Sequence, residues 1–349
     1  MIKRRISQPI RIGDIIIGGN APIIVQSMTK TDTRNITATV KQISQLQEYG
    51  CEIVRIAIPD MEAAQALYKI KKKTKIPIIA DIHFDYRLAL ESLTNGADGL
   101  RLNPGNISNK EHITAIVTSA RERHVPIRIG INAGSIPLDS SNKLPLPQRM
   151  VIIALEQVHL LENLDFNLIK VSLKAFDVET TIDAYNLIAD KIPYPLHLGI
   201  TEAGPSVTGK IRSAVGIGIL LQHGIGDTIR VSLTSSPVEE VITAYEILKT
   251  LNLREYGPTL VSCPTCGRCD VNLMELTDKV QDKLHNIHKP LKIAVMGCVV
   301  NGPGEAKEAD VGVACGKGKG VIFRKGKVVQ TLEEKDILQG LFDEIDSLA

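Results

Sequence analysis

The sequence predicts an α/β protein: a (β/α)8 TIM-type barrel followed by a small, cysteine-rich α/β domain. Three observations predict it. Eight short apolar runs alternate with eight amphipathic stretches between residues 23 and 251. The runs are continuous rather than alternating, as strands of a parallel sheet covered on both faces are. Near residues 252–260 the pattern breaks, and five of the six cysteines follow the break. Eight units in about 230 residues suit a closed barrel better than an open doubly wound sheet.

The elements follow in order. Residues 10–21 (IRIGDIIIGGNA) read as a hairpin that plugs the barrel bottom. Strands are expected at 23–27, 53–58, 76–82, 99–102, 126–131, 168–173, 196–200 and 228–233. Helices are expected at 37–49, 61–72, 86–94, 111–121, 146–161, 178–190, 209–223 and 238–251. The last of these has a strong start signal: Ser236 caps, Pro237 fits the first helical position and Glu239 completes a capping box. Gly257 and Pro258 mark a linker, giving a barrel over residues 1–255 and a second domain over 256–349. There the expected order is a cysteine-rich turn, a helix at 270–287, a strand at 291–296 and a glycine-rich loop. Strands at 311–314 and 320–324 and a last helix at 332–348 complete it.

Composition excludes several function classes. With 44% apolar and 23% charged residues in 349, the chain reads as soluble and globular. Aromatic residues make up 3%, with no Trp, which leaves little for stacking on bases, and nucleic acid is not an expected partner. The net charge of +2 creates no global field, so any anion site must be local. No apolar run reaches the roughly 18–20 residues of a membrane span. No signal-peptide core follows the basic start Lys3-Arg4-Arg5. The expected location is the cytoplasm, where the cysteines do not form structural disulfides.

The expected strands carry an unusual load of charge. Arg55, Arg101, Arg128, Lys170, Lys174 and Arg230 lie inside them, where an unpartnered charge is costly. Residues two apart on a strand share a face, and the polar positions keep that spacing. Arg101 goes with Asn103, Arg128 with Asn132, Arg230 with Ser232, Asp81 with His83 and His197 with Thr201; Lys170, Ser172 and Lys174 share one face, and Gln26 and Met28 another. These lie toward strand C-terminal ends, where barrel enzymes carry their chemistry. A set of internal salt bridges is the plain alternative, but Asp81 and Glu202 could neutralise only two of the six cations. Such a ring calls for an anion, and arginine forks suit phosphate oxygens. The turn Glu202-Ala203-Gly204 and the helix start at Ser236 add backbone donors.

The cysteines form two elements, Cys263-Pro264-Thr265-Cys266-Gly267-Arg268-Cys269 and the stretch GCVVNGPGEA from Gly297 to Ala306. The spacing admits an iron–sulfur cluster in glycine-rich loops, a structural zinc, or a redox dithiol. Against zinc, the gap from Cys266 to Cys298 exceeds the usual 15–20 residues between ribbon knuckles.

With CPTC and GCVVNGPGEA, the strings ADIHFDYRLAL, GLRLNPGNI, RIGINAGS, VSLKAFDV, HLGITEAG and GIGDTIRVSL closely resemble one family. It is the 4-hydroxy-3-methylbut-2-enyl diphosphate synthases of the methylerythritol phosphate pathway, in their short two-domain form, and the resemblance runs along nearly the whole chain. It implies a 4Fe–4S cluster held by Cys263, Cys266, Cys298 and Glu305. It implies a cyclic diphosphate substrate, 2-C-methyl-D-erythritol 2,4-cyclodiphosphate, opened by two electrons with loss of water. Arg55, Arg101, Arg128 and Lys174 are then expected on phosphate oxygens, with Asp81, His83, Asn103 and Asn132 on hydroxyls. Glu202, assisted by Thr201, and Asn301 are expected at the departing hydroxyl. A flavodoxin or ferredoxin donor and a head-to-tail homodimer are implied as well. Cys269 stands where family members usually lack cysteine, and is expected not to be a ligand. The competing readings are a phosphosugar aldolase or isomerase barrel with a zinc tail, Lys170 or Lys174 forming its Schiff base, and a non-catalytic zinc-ribbon module.

Overall fold

The computed structural model describes residues 2–83, 85–102, 107, 109–136, 144–269, 271–284, 287–298 and 307–348. The chain divides into two compact units, Met1–Arg254 and Glu255–Ala349.

The first unit opens with a hairpin, β1 (Ile10–Ile12) and β2 (Ile15–Ile17). It continues through β3 (Ile24–Met28), α1 (Ile36–Glu48), β4 (Ile53–Ala57), α2 (Met61–Lys71), β5 (Ile78–Ile82), α3 (Tyr86–Thr94), β6 (Gly99–Leu102) and α4 (Lys110–Glu122). Then follow β7 (Ile127–Asn132), α5 (Leu146–Glu162), β8 (Ile169–Lys174), α6 (Val178–Ala189), β9 (His197–Leu198), α7 (Ser206–Gln222), β10 (Thr228–Ile229) and α8 (Pro237–Thr250). Short polar side chains start the helices by accepting the orphan first-turn N–H groups: Asn35 from Ala38, Asp60 from Ala63, Asp85 from Arg87 and Asp177 from Thr180. At α8, Ser236 caps Val238 and Pro237 takes the first position. The capping box expected there does not form. The Glu239 carboxylate turns to Ser206, Ser235 and Lys210 instead, whose bonds pull it down to about pKa 2.

β3 to β10 form one parallel sheet in the order β8-β7-β6-β5-β4-β3-β10-β9. A bridge between Val171 and Leu196, with the Val171 N–H bonded to the Pro195 carbonyl at 2.9 Å, closes it into a barrel. The register sets the levels inside. From Gln26, crossing to each next strand and rising one residue passes Val54, Ile79, Leu100, Arg128, Val171, His197 and Ile229 and returns to Gln26. Alternate strands therefore fill each level in fours. From the bottom, the inward sets are Ile53, Gly99, Lys170 and Thr228, then Gln26, Ile79, Arg128 and His197. Above them come Arg55, Arg101, Ser172 and Arg230, and then Met28, Asp81, Gly130 and Gly199. Below all of these the hairpin closes the barrel floor, with Ile10, Ile12 and Ile17 packed on Ile24, Ile53 and Ile79.

β9 and β10 are shorter than expected. Past Leu198 the chain leaves the ladder, and the Thr201 N–H bonds to the Ala175 carbonyl in the loop after β8.

The second unit holds β11 (Thr259–Ser262), α9 (Leu273–Leu284), β12 (Lys292–Met296), β13 (Val311–Gly316), β14 (Lys319–Arg324), β15 (Lys327–Glu333) and α10 (Ile337–Asp346). Its sheet runs β11-β12-β13-β14-β15, with the first three strands parallel and the last two antiparallel. Two edge strands correct the sequence reading. β11 occupies part of the supposed linker, and β15 enters the segment read as the start of the last helix. β15 exposes six of its seven residues and β11 buries none of its four, so neither carries the apolar pattern that marks a strand.

Candidate functional site in the barrel and the cysteine-bearing unit

The strand register lines up Asp81, Arg101, Arg128 and Lys170 on four successive strands, all inside the barrel. Arg101 Nη1 donates to Asp81 Oδ1 at 3.1 Å and lies 3.2 Å from His83 Nε2. Arg55 Nε is 3.5 Å from Asp81 Oδ2, and its fork reaches Met28 Sδ at 2.9 Å. Burial raises the Asp81 pKa, but Arg55, the His83 hydrogen bond and Arg101 outweigh it and hold the carboxyl well below its ordinary range. Arg128 Nη1 donates to Ser172 Oγ at 3.2 Å, and Arg230 Nη1 to Ser232 Oγ at 2.9 Å.

Arg55, Arg101, Arg128, Lys170, Lys174 and Arg230 thus meet one inward-facing carboxylate, Asp81, among the described residues. A second acid, missed in the sequence reading, arrives from outside the barrel. Glu240 of α8 is fully buried, 3.5 Å from Arg230 Nε and 3.1 Å from Lys30 Nζ, and accepts from the Leu233 N–H at 3.0 Å. Its place in an amphipathic helix gave no sign of this; only the fold brings it under β10. Glu202, expected to neutralise one of the cations, is exposed, and no described cation pairs with it. Its backbone is instead left-handed, with φ at +53°. That conformation costs a non-glycine residue about 1–3 kcal/mol, a strain that gathers at functional turns. Gly204 follows at φ +111°, and Arg212 fixes the turn through the Ala203 carbonyl at 2.6 Å.

The cations repel as well as bind. Burial first, and then neighbouring Arg128, pushes Lys170 and Lys174 well below the ordinary lysine range. Burial and the same cations keep His197 neutral by lowering its pKa well below the usual imidazole range. Unpartnered nitrogens remain on Arg101, Arg128, Lys170 and His197 among the described residues. A polyanion entering from the strand C-terminal ends would meet the upper ones, on Arg101 and Arg128.

Asn132 ends β7 beside Lys174, and Thr201 begins the turn of Glu202. His83, just past β5, is about half exposed. Asn103, Asn301 and Glu305 lie outside the described residues.

Two predictions arise here. A Cβ on Gly199 would stand 2.5 Å from the Arg230 carbonyl and 2.6 Å from Lys174 Nζ. Gly199→Ala is therefore expected to lower stability by about 2 kcal/mol through overpacking, read as a lower urea midpoint. Asp81→Asn leaves Arg55 and Arg101 without their carboxylate, and is expected to cost about 3 kcal/mol or more at neutral pH. The sign of its pH dependence follows from the depressed pKa. The stabilisation is present above the unfolded carboxyl value near 4 and is lost as pH falls below it. The gap between wild-type and Asp81→Asn urea midpoints should therefore narrow in acid.

In the second unit, parallel pairing of Ser262 with Val295 sets Cys263 and Gly297-Cys298 side by side at the strand C-terminal ends. The Gly297 N–H points at Cys263 Sγ, 3.2 Å away. Cys266 is exposed on the following turn, and Cys298 is buried. Cys269 Sγ donates to the Val271 carbonyl at 3.3 Å. Cys315 is fully buried, its thiol pushed up to about pKa 12 by burial and by neighbouring Cys269. Cys51 is a core residue of the barrel unit, pushed to about 12 by burial. Among the described residues, no three His, Cys, Asp or Glu side chains converge on one metal-ion position.

Fold and interior together define a TIM-barrel enzyme with a cationic cavity, carried in one chain with a thiol-bearing α/β unit. The GcpE TIM-barrel domain matches residues 7–245 and the GcpE protein C-terminal domain matches residues 259–347. The chain belongs to the GcpE family. Curated relatives carry the name 4-hydroxy-3-methylbut-2-en-1-yl diphosphate synthase (flavodoxin). A Dehalococcoides mccartyi protein is 63% identical over 348 residues, covering 100% of both chains. One from Thermodesulfovibrio yellowstonii is 56% identical, covering 99% of each, and one from Geobacter sulfurreducens is 55% identical, covering 98% of each. Neither zinc-based alternative finds support among them. Solved dihydropteroate synthases share the barrel fold alone. The Stenotrophomonas maltophilia enzyme superposes with a TM-score of 0.54 at 13% identity, over 70% of this chain and 98% of that one. The Yersinia pestis enzyme gives 0.51 at 12%, over 70% and 99%. No described helix is long and apolar enough to cross a membrane.

Proposed function

We propose that this chain converts 2-C-methyl-D-erythritol 2,4-cyclodiphosphate to 4-hydroxy-3-methylbut-2-enyl diphosphate by two-electron reductive ring opening with release of water. The observation that carries the reading is the excess of buried guanidinium and ammonium groups over carboxylates inside the barrel. Such an interior is matched by two linked phosphates and by few neutral metabolites. Arg55, Arg101, Arg128 and Lys174 take the phosphate oxygens. Asp81, His83, Asn103 and Asn132 orient the remaining oxygens of the ring. Glu202, raised on its strained turn next to Thr201, donates the proton with which the hydroxyl leaves as water, and Asn301 assists.

Cys263, Cys266, Cys298 and Glu305 are the ligands we assign to a 4Fe–4S cluster. The donor set fits it in chemistry: two of these thiols sit on adjacent strand ends, and a backbone N–H aimed at Cys263 Sγ stabilises a thiolate there. When bound, such a cluster supplies electrons singly. The relatives' names favour flavodoxin over ferredoxin as their source. A head-to-tail homodimer in the cytoplasm completes the reading; sedimentation as a monomer at working concentration would remove the dimer.

The test is anaerobic. Iron and acid-labile sulfide are measured on the purified chain, and turnover of the cyclic diphosphate is then followed with reduced flavodoxin. Bound iron, sulfide and turnover support the reading, and stoichiometric zinc without turnover sinks it.

A further inference from the structure

Below the level of Arg55, Arg101 and Arg230 the barrel holds a second group of polar side chains, of which the proposed reaction uses only Arg128. Gln26, Arg128 and His197 share one level, and Lys170 stands one level lower on the strand between those of Arg128 and His197. All four are at most 3% exposed. Each keeps a polar nitrogen without a partner among the described residues: Gln26 Nε2, Arg128 Nε and Nη2, Lys170 Nζ and His197 Nε2. His197 is oriented through Nδ1, 2.7 Å from Thr228 Oγ1, which leaves Nε2 facing the interior.

The opposite half of these levels is apolar, with Ile53 and Ile79 over the hairpin. No carboxylate is among the inward side chains of either level. The nearest buried one, Asp227, is engaged by the Ser7 hydroxyl at 2.9 Å and the Leu196 N–H at 2.8 Å, with Arg4 3.6 Å away. A buried polar group without a partner costs roughly 1–3 kcal/mol, and more when charged. Nitrogens from three neighbouring strands and β3, facing no carboxylate among the described residues and with the Gln26 amide oxygen also unpartnered beside them, are the complement of a small spherical anion.

We infer that Lys170, Arg128, His197 and Gln26 form a binding site for a monovalent inorganic anion of chloride size, beneath the substrate cavity and sharing only Arg128 with it. A diphosphate resting on Arg55 and Arg101 does not reach Lys170, two levels lower. The anion offsets the charge of the floor while the upper cations stay free for substrate.

The test uses the full chain. Thermal unfolding is compared in sodium bromide and in sodium gluconate at equal ionic strength, and crystals grown in bromide are examined by anomalous diffraction. The expected result is a saturable rise in melting temperature of roughly 3–5 °C in bromide, with an anomalous peak among Lys170, Arg128 and His197. Lys170→Met should melt alike in both salts. Equal melting of the wild type in both salts overturns the inference, and so does bromide confined to the mouth around Arg55 and Lys174. Should Lys170→Met not fold, the wild-type diffraction decides. Neither readout involves turnover, so failure here leaves the proposed reaction standing, and failure of that reaction leaves this site to its own test.

Discussion

Arg128→Met is expected to melt at a higher temperature than the wild type in halide-free buffer without substrate, and to lose about two orders of magnitude in kcat/KM. Both effects follow from one fact. Among the described residues the Arg128 guanidinium is buried, bonded to a neutral hydroxyl alone, and set beside other cations. Desolvation, followed by repulsion from Arg55 and Arg101, lowers its pKa well below the ordinary arginine value. An apolar side chain of similar length removes that penalty at the cost of one hydrogen bond. Replacing buried charge with packed apolar groups gains about 1–4 kcal/mol in comparable cases, which for a unit of this size is a rise of several degrees. With substrate the balance reverses. A charge-assisted fork to phosphate is worth about 1.5–3 kcal/mol, and a hundredfold loss corresponds to about 2.7 kcal/mol. Calorimetry and steady-state kinetics on the same preparation check both halves. A variant that is less stable and fully active would mean that Arg128 is a structural residue.

The second large effect separates two thiols only six residues apart. Cys263→Ser should lower bound iron and sulfide at least about tenfold, whereas Cys269→Ser should leave both at wild-type levels. Cys263 receives the Gly297 N–H, which favours a thiolate. Cys269 does the reverse. Its Sγ spends a proton on the Val271 carbonyl and packs so tightly on the backbone that a Cβ on Gly297 would lie 2.6 Å away. To ligate a metal, this thiol would first have to give up its bond to the backbone carbonyl. Its role is to fill the angle between the turn and β12. Metal and sulfide analysis of the two purified variants decides the matter, and loss of iron from Cys269→Ser would make Cys269 a ligand.

How much of this was legible in the sequence depended on burial. The inward-facing strands β3 to β8 were readable because both faces are covered and the charged positions keep a spacing of two, as Lys170, Ser172 and Lys174 do. β15 was not, because Val328 and Val329 on its exposed edge resemble neither a core strand nor a loop. The cations of the cavity could be named from sequence alone, since arginine within an apolar run is conspicuous. Their counter-charge could not. Glu240 is one of two adjacent glutamates in the first turn of α8, and only three-dimensional folding distinguishes it from half-buried Glu239. The level structure of the interior, which separates the floor of Gln26 and Lys170 from the ring above it, needed the strand register, and no local pattern encodes register between strands far apart in the chain.

The brevity of β9 and β10 has a mechanical consequence. Six strands of the barrel are laced along four or more residues, and these two along only two. At their lower ends Asp227 acts as a rivet, joined to Ser7 and to the Leu196 backbone. At their upper ends single contacts replace the ladder: Glu240 holds Arg230 and the Leu233 N–H, and a bridge from Pro205 to Thr234 spans the turn of Glu202. The wall of the barrel is thus stitched continuously on one side and tacked at a few points on the other, at base and rim alike. The tacked side carries the left-handed turn of Glu202, whose place therefore depends on those few contacts.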